Sequence, residues 1–270
     1  MTPRSLDPFA VPLAEPAKPY RPPFRCAAAT DTGRVRQINE DSYLLAPEIG
    51  VFAVADGMGG HAAGDVASAT TVECLASIGT AVSPGDLFSR TQDRILRANM
   101  AIQDLARDRG HIIGTTVAVL LAFEDDFACV WLGDSRIYRI RDGAIAQLSR
   151  DHTEIQQLLD AGTLTPEEAR VYPRRNVVTR AVGVQAEPEL EMIHGAMEAG
   201  DVFLICSDGL TGHAEPAQIL AELDGADPQA ACDALIALAL ADGGTDNVTV
   251  VVVRYEPEPV AVDPPGPVDA

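Results

Sequence analysis

Lysine is nearly absent from this chain of 270 residues, since only Lys18 occurs. The sequence therefore lacks the positioned lysine on which P-loop nucleotide hydrolases and protein kinases depend for phosphate chemistry. Basic residues are scarce overall, with 20 Lys and Arg against 40 Asp and Glu. The net charge is −20 and the pI is about 4.4. Because nucleic-acid phosphates favour clustered positive charge, this balance argues against a nucleic-acid partner.

Paired cysteines and long apolar runs are also missing. The five cysteines form no C-x-x-C pair, and most lie in apolar runs, which favours core residues in a reducing compartment over disulfides or a zinc site. They are Cys26, Cys74, Cys129, Cys206 and Cys232. No apolar run approaches the roughly 20 residues that span a bilayer, and the N-terminus lacks a hydrophobic signal core. We therefore expect a soluble, cytoplasmic protein that does not contact membranes. We also expect it to be a monomer.

What the chain does contain is an acid at the end of each of four apolar runs, with glycine next to it or close by. These acids are Asp56, Asp134, Asp208 and Asp246. One such acid alone is typical of a turn residue that bonds its own backbone. Four that gather at strand ends would repel one another unless cations neutralise them. The pattern indicates a carboxylate site for Mg²⁺ or Mn²⁺, which prefer oxygen ligands.

Composition divides the chain into three parts. Residues 1–24 hold seven prolines and are expected to form a disordered head or a docking peptide. Residues 25–254 are expected to form one domain, since 47% of the chain is hydrophobic and can bury a large core. Within that domain, residues 153–176 show two short helical pieces without a core pattern and are a candidate lid. Residues 255–270 form an acidic, Pro-rich tail.

Apolar periodicity and turn residues predict an α+β fold rather than a regular alternation of strands and helices. The expected strands are 24–30, 42–46, an apolar run beginning at 51, 115–123, 127–132, 137–141, 144–148, 202–206 and 248–253. The expected helices are 62–78, one that begins after Ser83 and ends at Gly110, 216–223 and 227–241. Serine followed by proline is typical of a helix start, glycine of a helix end, and Asp142-Gly143 of a hairpin turn.

Eight segments, in order, resemble the metal-dependent protein serine/threonine phosphatases of the PP2C type in their bacterial form, over about residues 25–254. The segments are VRQINED (35–41), ADGMGGHAAGD (55–65), GTT (114–116), LGDSR (132–136), SRDHT (149–153), NVVTRAVG (176–183), ICSDGL (205–210) and GGTDNVT (243–249). The resemblance implies two antiparallel sheets packed as a β-sandwich with helices on both sides, and a flexible flap at about 153–176.

The resemblance also implies a set of metal ligands for two, or three, Mn²⁺ or Mg²⁺ ions. Asp56 is expected to bridge two ions, the carbonyl of Gly57 to add a ligand, and Asp208 and Asp246 to complete one ion's shell. Glu40 and Asp41 are expected to serve the second ion, directly or through water, although a solvated loop pair is the alternative for these two acids. Asp134 matches the acid that helps to hold a weaker third ion together with Asp208.

The implied reaction is attack of a metal-bridged hydroxide on a phosphoserine or phosphothreonine of a protein, reversing the work of a serine/threonine kinase. Arg36 matches the phosphate-binding arginine of the family, and a guanidinium suits two phosphate oxygens at once; Arg34 is its neighbouring competitor. His61 is a candidate general acid, or else a loop histidine that bonds backbone. The flap pair Arg174 and Arg175 is a candidate substrate contact, with ordinary solvation as the alternative.

The sequence disfavours three other functions. Residues 57–62 fit a loose dinucleotide-binding glycine pattern, but a second helix follows where that fold needs a returning strand. Cysteine-based phosphatases need arginine six positions after the cysteine, and Gly212 stands six after Cys206. A phosphatase-shaped binding or regulatory module without turnover is the remaining alternative, which the presence of all the expected carboxylates disfavours.

Overall fold

The computed structural model describes residues 23–59, 63–170, 172–174 and 177–257. Within these ranges the strands are β1 (Phe24–Asp31), β2 (Asp41–Ala46), β3 (Val51–Met58), β4 (Gly114–Thr115), β5 (Val117–Phe123), β6 (Asp126–Leu132), β7 (Arg136–Arg141), β8 (Ala144–Gln147), β9 (Glu191–Ala196), β10 (Val202–Cys206) and β11 (Val248–Tyr255). The helices are α1 (Gly64–Ala76), α2 (Pro84–Arg109), α3 (Glu154–Asp160), α4 (Pro166–Arg170), α5 (Asp208–Thr211), α6 (Pro216–Leu223) and α7 (Pro228–Ala241).

The strands form two antiparallel sheets, one in the order β1-β11-β10-β7-β8 and one in the order β2-β3-β5-β6-β9, with the short β4 paired to β3. One apolar layer, which includes Phe52 and Phe203, fills the space between the sheets. A second layer joins β3 and β5 to α1 and α2, and a third joins β10 and β11 to α5, α6 and α7. The predicted sandwich of two antiparallel sheets with helices on both sides is confirmed.

This layering explains why the central strands are apolar without alternation. Antiparallel strands usually show one face to water, but here each sheet packs on the other sheet and on helices. Every residue of β10 is buried, and so is nearly every residue of β11. The four apolar runs whose ends carry the acids are therefore interior strands, and the acids lie where these strands leave the core.

The termini of α2 and the hairpin turn agree with their local signals. Ser83 accepts a hydrogen bond from the Asp86 N–H at 3.1 Å through its hydroxyl, and Gly110 ends the helix with φ +73°. Asp142 and Gly143 both adopt positive φ, 50° and 71°, as the tight turn between β7 and β8 requires.

Other local predictions are corrected. β3 does not stop at Asp56 but continues to Met58, because Gly57 and Met58 pair with β4. The expected single strand over 115–123 is broken at Thr116, whose N–H donates to the Asp56 carbonyl at 2.8 Å. Strand β9 and the short α5 were not predicted; β9 lies at a sheet edge and alternates between half-buried and exposed residues, so its apolar signal is weak.

The pairing of β1 with β11 marks where the two ends of the chain enter the sheet, and the flap region contains short helices. Phe24 pairs with Tyr255, so strand pairing extends one residue into the predicted head and one into the predicted tail. The rest of both segments lies almost wholly outside the described residues. The flap region contains α3 and α4, and Thr165 and Glu168 exchange capping hydrogen bonds at the start of α4. None of the helices in the described ranges is long and apolar enough to cross a bilayer.

Candidate metal and phosphate site

Pairing of β2 with β3 places Asp41 directly opposite Asp56. The Asp41 side chain is buried, and its Oδ2 accepts a hydrogen bond from the Ser207 hydroxyl at 2.8 Å. Its other oxygen, Oδ1, is buried and has no hydrogen-bond partner among the described residues. An unpartnered buried carboxylate oxygen is costly, which suits a site completed by a cation or ordered water.

Two more acids approach from the other sheet because α5 packs tightly on the start of β11. A Cβ atom on Gly209 would lie 1.9 Å from the Asn247 carbonyl oxygen, so only glycine allows this contact. The contact brings Asp208, the first residue of α5, close to Asp246, which precedes β11. Carboxylates from the ends of β10 and β11 thus meet those of β2 and β3.

Asp134 reaches the same place from a turn between β6 and β7. Gly133 adopts φ +113°, and a Cβ there would lie 2.6 Å from the Thr116 Cβ. Thr116 in turn accepts a hydrogen bond from the Asp56 N–H at 3.0 Å and shares one with the Ser135 hydroxyl at 2.6 Å. The break in the strand at Thr116 therefore joins the backbone of Asp56 to the turn that carries Asp134.

These groups surround a cavity of about 300 Å³ between the ends of the two sheets. Its lining residues are Arg36, Glu40, Asp56, Gly57, Met58, Gly59, Thr116, Asp134, Val178, Asp208, Asp246 and Asn247. The fold therefore brings the acids expected from the four strand ends to one cavity, together with Glu40. Asp41 lies behind the lining, paired with Asp56.

Burial and mutual repulsion raise the pKa values of these acids. Burial is the main cause throughout; it raises the pKa of Asp41 to about 6 and that of Asp134, with help from Asp208, to about 8. The pKa of Asp56 lies well above its usual range, because Asp41 and Asp208 add repulsion to its burial. The pKa of Asp208 is also raised by burial and by Asp246. Like charges held this way attract cations.

The donor set fits hard divalent ions shared among several ligands. Among the described residues, no group of three or more acid, histidine or cysteine side chains is arranged so that it could hold an ion by itself. Mg²⁺ binds through one or two carboxylates and keeps several waters, so a shared site does not need such a group. The carboxylates of the lining, which includes no histidine or cysteine among the described residues, and the unpartnered Asp41 oxygen fit Mg²⁺ or Mn²⁺.

Arg36 and Arg34 have different positions. Arg36 lines the cavity, is half exposed, and donates through Nη2 to Asp246 Oδ2 at 2.7 Å. Arg34 instead donates through Nε to the Leu240 carbonyl at 2.9 Å and, through its backbone N–H, to the Gly244 carbonyl at 2.7 Å. Arg36 is thus the arginine that could meet a phosphate, and Arg34 fastens its loop to the end of α7.

Gly57 is glycine because two backbone segments press against it. A Cβ there would lie 2.1 Å from the Gly64 carbonyl oxygen and 2.6 Å from the Glu40 carbonyl oxygen. Glu40 itself accepts a hydrogen bond from the Gly64 N–H at 3.2 Å, at the start of α1. Close packing thus accounts for the glycine, whereas the metal role expected for its carbonyl stays a prediction.

Other predicted site residues lie away from the cavity or outside the described part of the chain. His61 and Arg175 are among the residues not described. Arg174 is exposed and lies 2.8 Å from Glu154 of α3, so its contact is within the flap region rather than with the cavity lining. Its role as a substrate contact stays a prediction.

Two cavity residues, Asn247 and Thr116, were not singled out from the sequence. Asn247 accepts a hydrogen bond from the Glu40 N–H at 2.8 Å, and its Nδ2 donates to the carbonyls of Thr32, at 2.8 Å, and Ile38, at 3.0 Å. It therefore holds the loop that carries Arg36 and Glu40. Asn247 stands beside Asp246 in GGTDNVT and Thr116 within GTT, so the motifs contain them without indicating a role.

The two sheets pack between two groups of helices, and the sheets end in a shared acidic cavity. This architecture defines the class of metal-dependent phosphatases with two packed sheets. A sequence profile of the protein phosphatase 2C family matches residues 32–228. The chain belongs to this family.

Named proteins are similar to this chain in sequence and in structure. Serine/threonine protein phosphatase PstP of Mycobacterium tuberculosis is 40% identical over 232 residues, which are 85% of this chain and 44% of PstP, so the chain spans less than half of that relative. The structure of PppA, a regulatory component of T6SS in Pseudomonas aeruginosa, has 40% identity and a TM-score of 0.79, covering 86% of this chain and 97% of PppA. The catalytic domain of PstP in complex with two manganese ions has 39% identity and a TM-score of 0.77, covering 86% and 97%.

Proposed function

We propose that this chain hydrolyses phosphoserine and phosphothreonine monoesters of proteins with the help of Mn²⁺ or Mg²⁺. The observation that carries the proposal is the cavity in which Asp56, Asp134, Asp208 and Asp246 converge with Arg36 among them. Buried acids with raised pKa values and a guanidinium in one cavity offer sites for cations and for an anionic ester side by side. The named relatives are serine/threonine phosphatases, which supports this chemistry.

The cations would be held by acids from both sheets. Two ions would be held by Asp56, the Gly57 carbonyl, Asp208 and Asp246 together with Glu40 and Asp41. Asp134 with Asp208 would hold a third. The PstP catalytic domain solved with two manganese ions supports a site for two divalent ions. When bound, such ions neutralise phosphoryl charge and lower the pKa of water.

The chain's own residues bind and orient the ester. Arg36 uses one donor on Asp246, which aims the guanidinium into the cavity while the group's remaining N–H atoms can engage phosphate oxygens. Asn247 keeps the Arg36 and Glu40 loop in place, so the phosphate contact and the cation site are positioned together. We propose His61 as the group that protonates the leaving alkoxide.

The proposal also covers the substrates of the chain, its oligomeric state and its location. The chain would act on targets of a serine/threonine protein kinase, and the kinase itself is a candidate substrate. A monomeric state and a cytoplasmic location remain predictions, which sedimentation and cell fractionation would test.

Hydrolysis of p-nitrophenyl phosphate and of a phosphothreonine peptide, with Mn²⁺ and with chelator, tests the function. We expect turnover with Mn²⁺, none with chelator, and a loss of at least about a hundredfold in Asp56→Asn and Asp208→Asn, since the cation site would be incomplete. The matched control is Asp93→Asn on the exposed side of α2, whose rate should equal that of the wild type. Equal rates in the wild type and all three variants, or no Mn²⁺-dependent rate at all, would contradict the proposed hydrolysis. Either result would favour a non-catalytic binding module.

A further inference from the structure

A second concavity lies at the C-terminal end of α2. This groove has a volume of about 530 Å³ and mostly apolar walls, formed by the last turns of α2, by residues 110–113 and by residues 183–184. Ile112 is 74% exposed and Val184 42% exposed, so two aliphatic side chains face solvent there. Exposed aliphatic side chains that share one concave surface are typical of a binding site.

The groove and the catalytic cavity share a wall. The strap, defined as residues 178–186, contributes Val178 to the cavity and Val184 to the groove. Across from the strap, Gly59 lines the cavity, and a Cβ built on it would lie 3.2 Å from the Ile113 Cα of the groove. Met58, which lines the cavity, pairs with Gly114, the residue that follows Ile113 of the groove in the sequence. The cavity and the groove therefore adjoin at Gly59, Ile113 and the strap.

Buried hydrogen bonds hold the groove in shape. Asn99 of α2 is fully buried; it accepts a hydrogen bond from the Gly183 N–H at 2.6 Å and donates to the Gln185 carbonyl at 3.1 Å. The strap is also tied to the metal site, because Val182 and Thr115 exchange backbone hydrogen bonds at 2.9 and 3.0 Å. The Thr115 hydroxyl donates to the Asp56 carbonyl at 2.9 Å. The groove is therefore preformed and fixed relative to the cavity.

We propose that this groove binds an aliphatic side chain of the phosphoprotein substrate, located a few residues from the phosphorylated serine or threonine. This assignment rests on the proposed function. An extended substrate segment advances about 3.3 Å per residue, so a chain whose phosphate lies in the cavity reaches past the strap within a few residues. The lining combines Ala106, Ile112, Ile113 and Val184 with the polar residues Gln103, Arg107 and His111. An aliphatic side chain matches the larger, apolar part of this surface.

A leucine scan tests the groove. Phosphothreonine peptides with neutral, polar flanks carry one leucine, moved through successive positions on each side of the phosphothreonine. With Mn²⁺ present, we expect one or two leucine positions on one side to lower KM by about five- to tenfold at an unchanged kcat. Ile112→Ser and Val184→Ser should remove this preference. The matched control is Val82→Ser, because Val82 is 82% exposed and lies at the opposite end of α2.

Two further measurements separate this proposal from the proposed function. Hydrolysis of p-nitrophenyl phosphate, which is too small to reach the groove, should be the same in all these variants. Fluorescence anisotropy should show tighter binding of the best leucine peptide to the wild type than to Ile112→Ser. Leucine-dependent binding without any hydrolysis would support the groove and refute the enzymatic proposal. Hydrolysis with no leucine preference, or with a preference that both groove variants retain, would overturn the groove alone.

Discussion

His152 and Gly133 are joined by two hydrogen bonds: the Gly133 N–H donates to His152 Nδ1 at 3.1 Å, and the His152 N–H donates to the Gly133 carbonyl at 2.9 Å. Gly133 immediately precedes Asp134. The His152 carbonyl also accepts a hydrogen bond from the Thr179 N–H, at 2.7 Å, within the strap. A buried histidine that does not line the cavity thus connects the turn of Asp134 to the strap.

Removal of this imidazole should destabilise the turn. His152→Ala leaves the buried Gly133 N–H without an acceptor, which costs about 1–3 kcal/mol of unfolding free energy. His152→Asn restores an acceptor near Nδ1 and should recover part of the loss. Urea denaturation of chelated protein measures both. The Mn²⁺ concentration for half-maximal hydrolysis should rise more in His152→Ala than in His152→Asn. Unfolding free energies equal to that of the wild type in both variants would contradict the role.

His152 should also make stability depend on pH. Burial lowers its pKa, and Glu191, whose Oε1 lies 3.1 Å from Nε2, offsets this only partly. The unfolded chain therefore binds more protons as pH falls through about 6.5, so stability decreases. The unfolding free energy of the wild type minus that of His152→Asn should therefore decrease from pH 7 to pH 5. The acid cluster titrates in both proteins, so parallel curves would exclude this effect.

The metal-free acid cluster should have the opposite pH dependence. The folded pKa values of Asp41 and Asp134, about 6 and about 8, exceed the ordinary value of 3.8, so the native state binds more protons in between. The stability that these groups contribute below about pH 4 is lost as pH rises towards 8. With chelator, Tm should fall by several degrees between pH 5 and pH 8, and Mn²⁺ should raise Tm most at pH 8.

Asp208→Asn is a second test of the repulsion among the acids. Removing one buried like charge should raise the Tm of the chelated protein at pH 8 and weaken its response to Mn²⁺. A chelated wild type whose Tm does not change over this pH range would show that the acids do not carry the predicted repulsion. Asp93→Asn, at an exposed site on α2, should behave as the wild type.

Arg36 and Arg34 should separate catalysis from stability. Arg36→Ala should lower kcat/KM for a phosphopeptide by about 10–100-fold, since hydrogen bonds to charged groups contribute about 1.5–3 kcal/mol. Arg36→Lys should be intermediate, because lysine keeps the charge without the planar fork. Arg34→Ala should keep kcat/KM within about twofold and lower the unfolding free energy by about 1 kcal/mol through its lost bond to Leu240. The reverse pattern would mean that the phosphate role belongs to Arg34.

Gly57 and Gly85 are matched glycines with opposite surroundings. An alanine Cβ at position 57 would clash with the Gly64 carbonyl at 2.1 Å, so Gly57→Ala should displace the start of α1 and cost about 2–3 kcal/mol. No atom lies within 4 Å of the corresponding position at Gly85 in the first turn of α2, so Gly85→Ala should be neutral or stabilise by up to about 1 kcal/mol. Thermal unfolding compares them, and equal stability of the two variants would show that α1 adjusts freely.

Local signals predicted most of the fold because the residues that produce them are close in sequence. Ser83 with Asp86 and Asp142 with Gly143 act within one helical turn or one hairpin turn. The break at Thr116 had no such signal, because its partner is Asp56, 60 positions away.

The sequence alone determined which acids are available, where the interior strands run and which family the motifs resemble, since these depend on residue identity and short-range periodicity. Only the tertiary structure decided that Arg36, not Arg34, faces the cavity and that Asn247 holds their loop. The partners in those contacts lie 210, 206 and 207 positions apart. The raised pKa values likewise exist only after the sheets close around the acids, because desolvation is a property of the packed site and not of any segment of the chain.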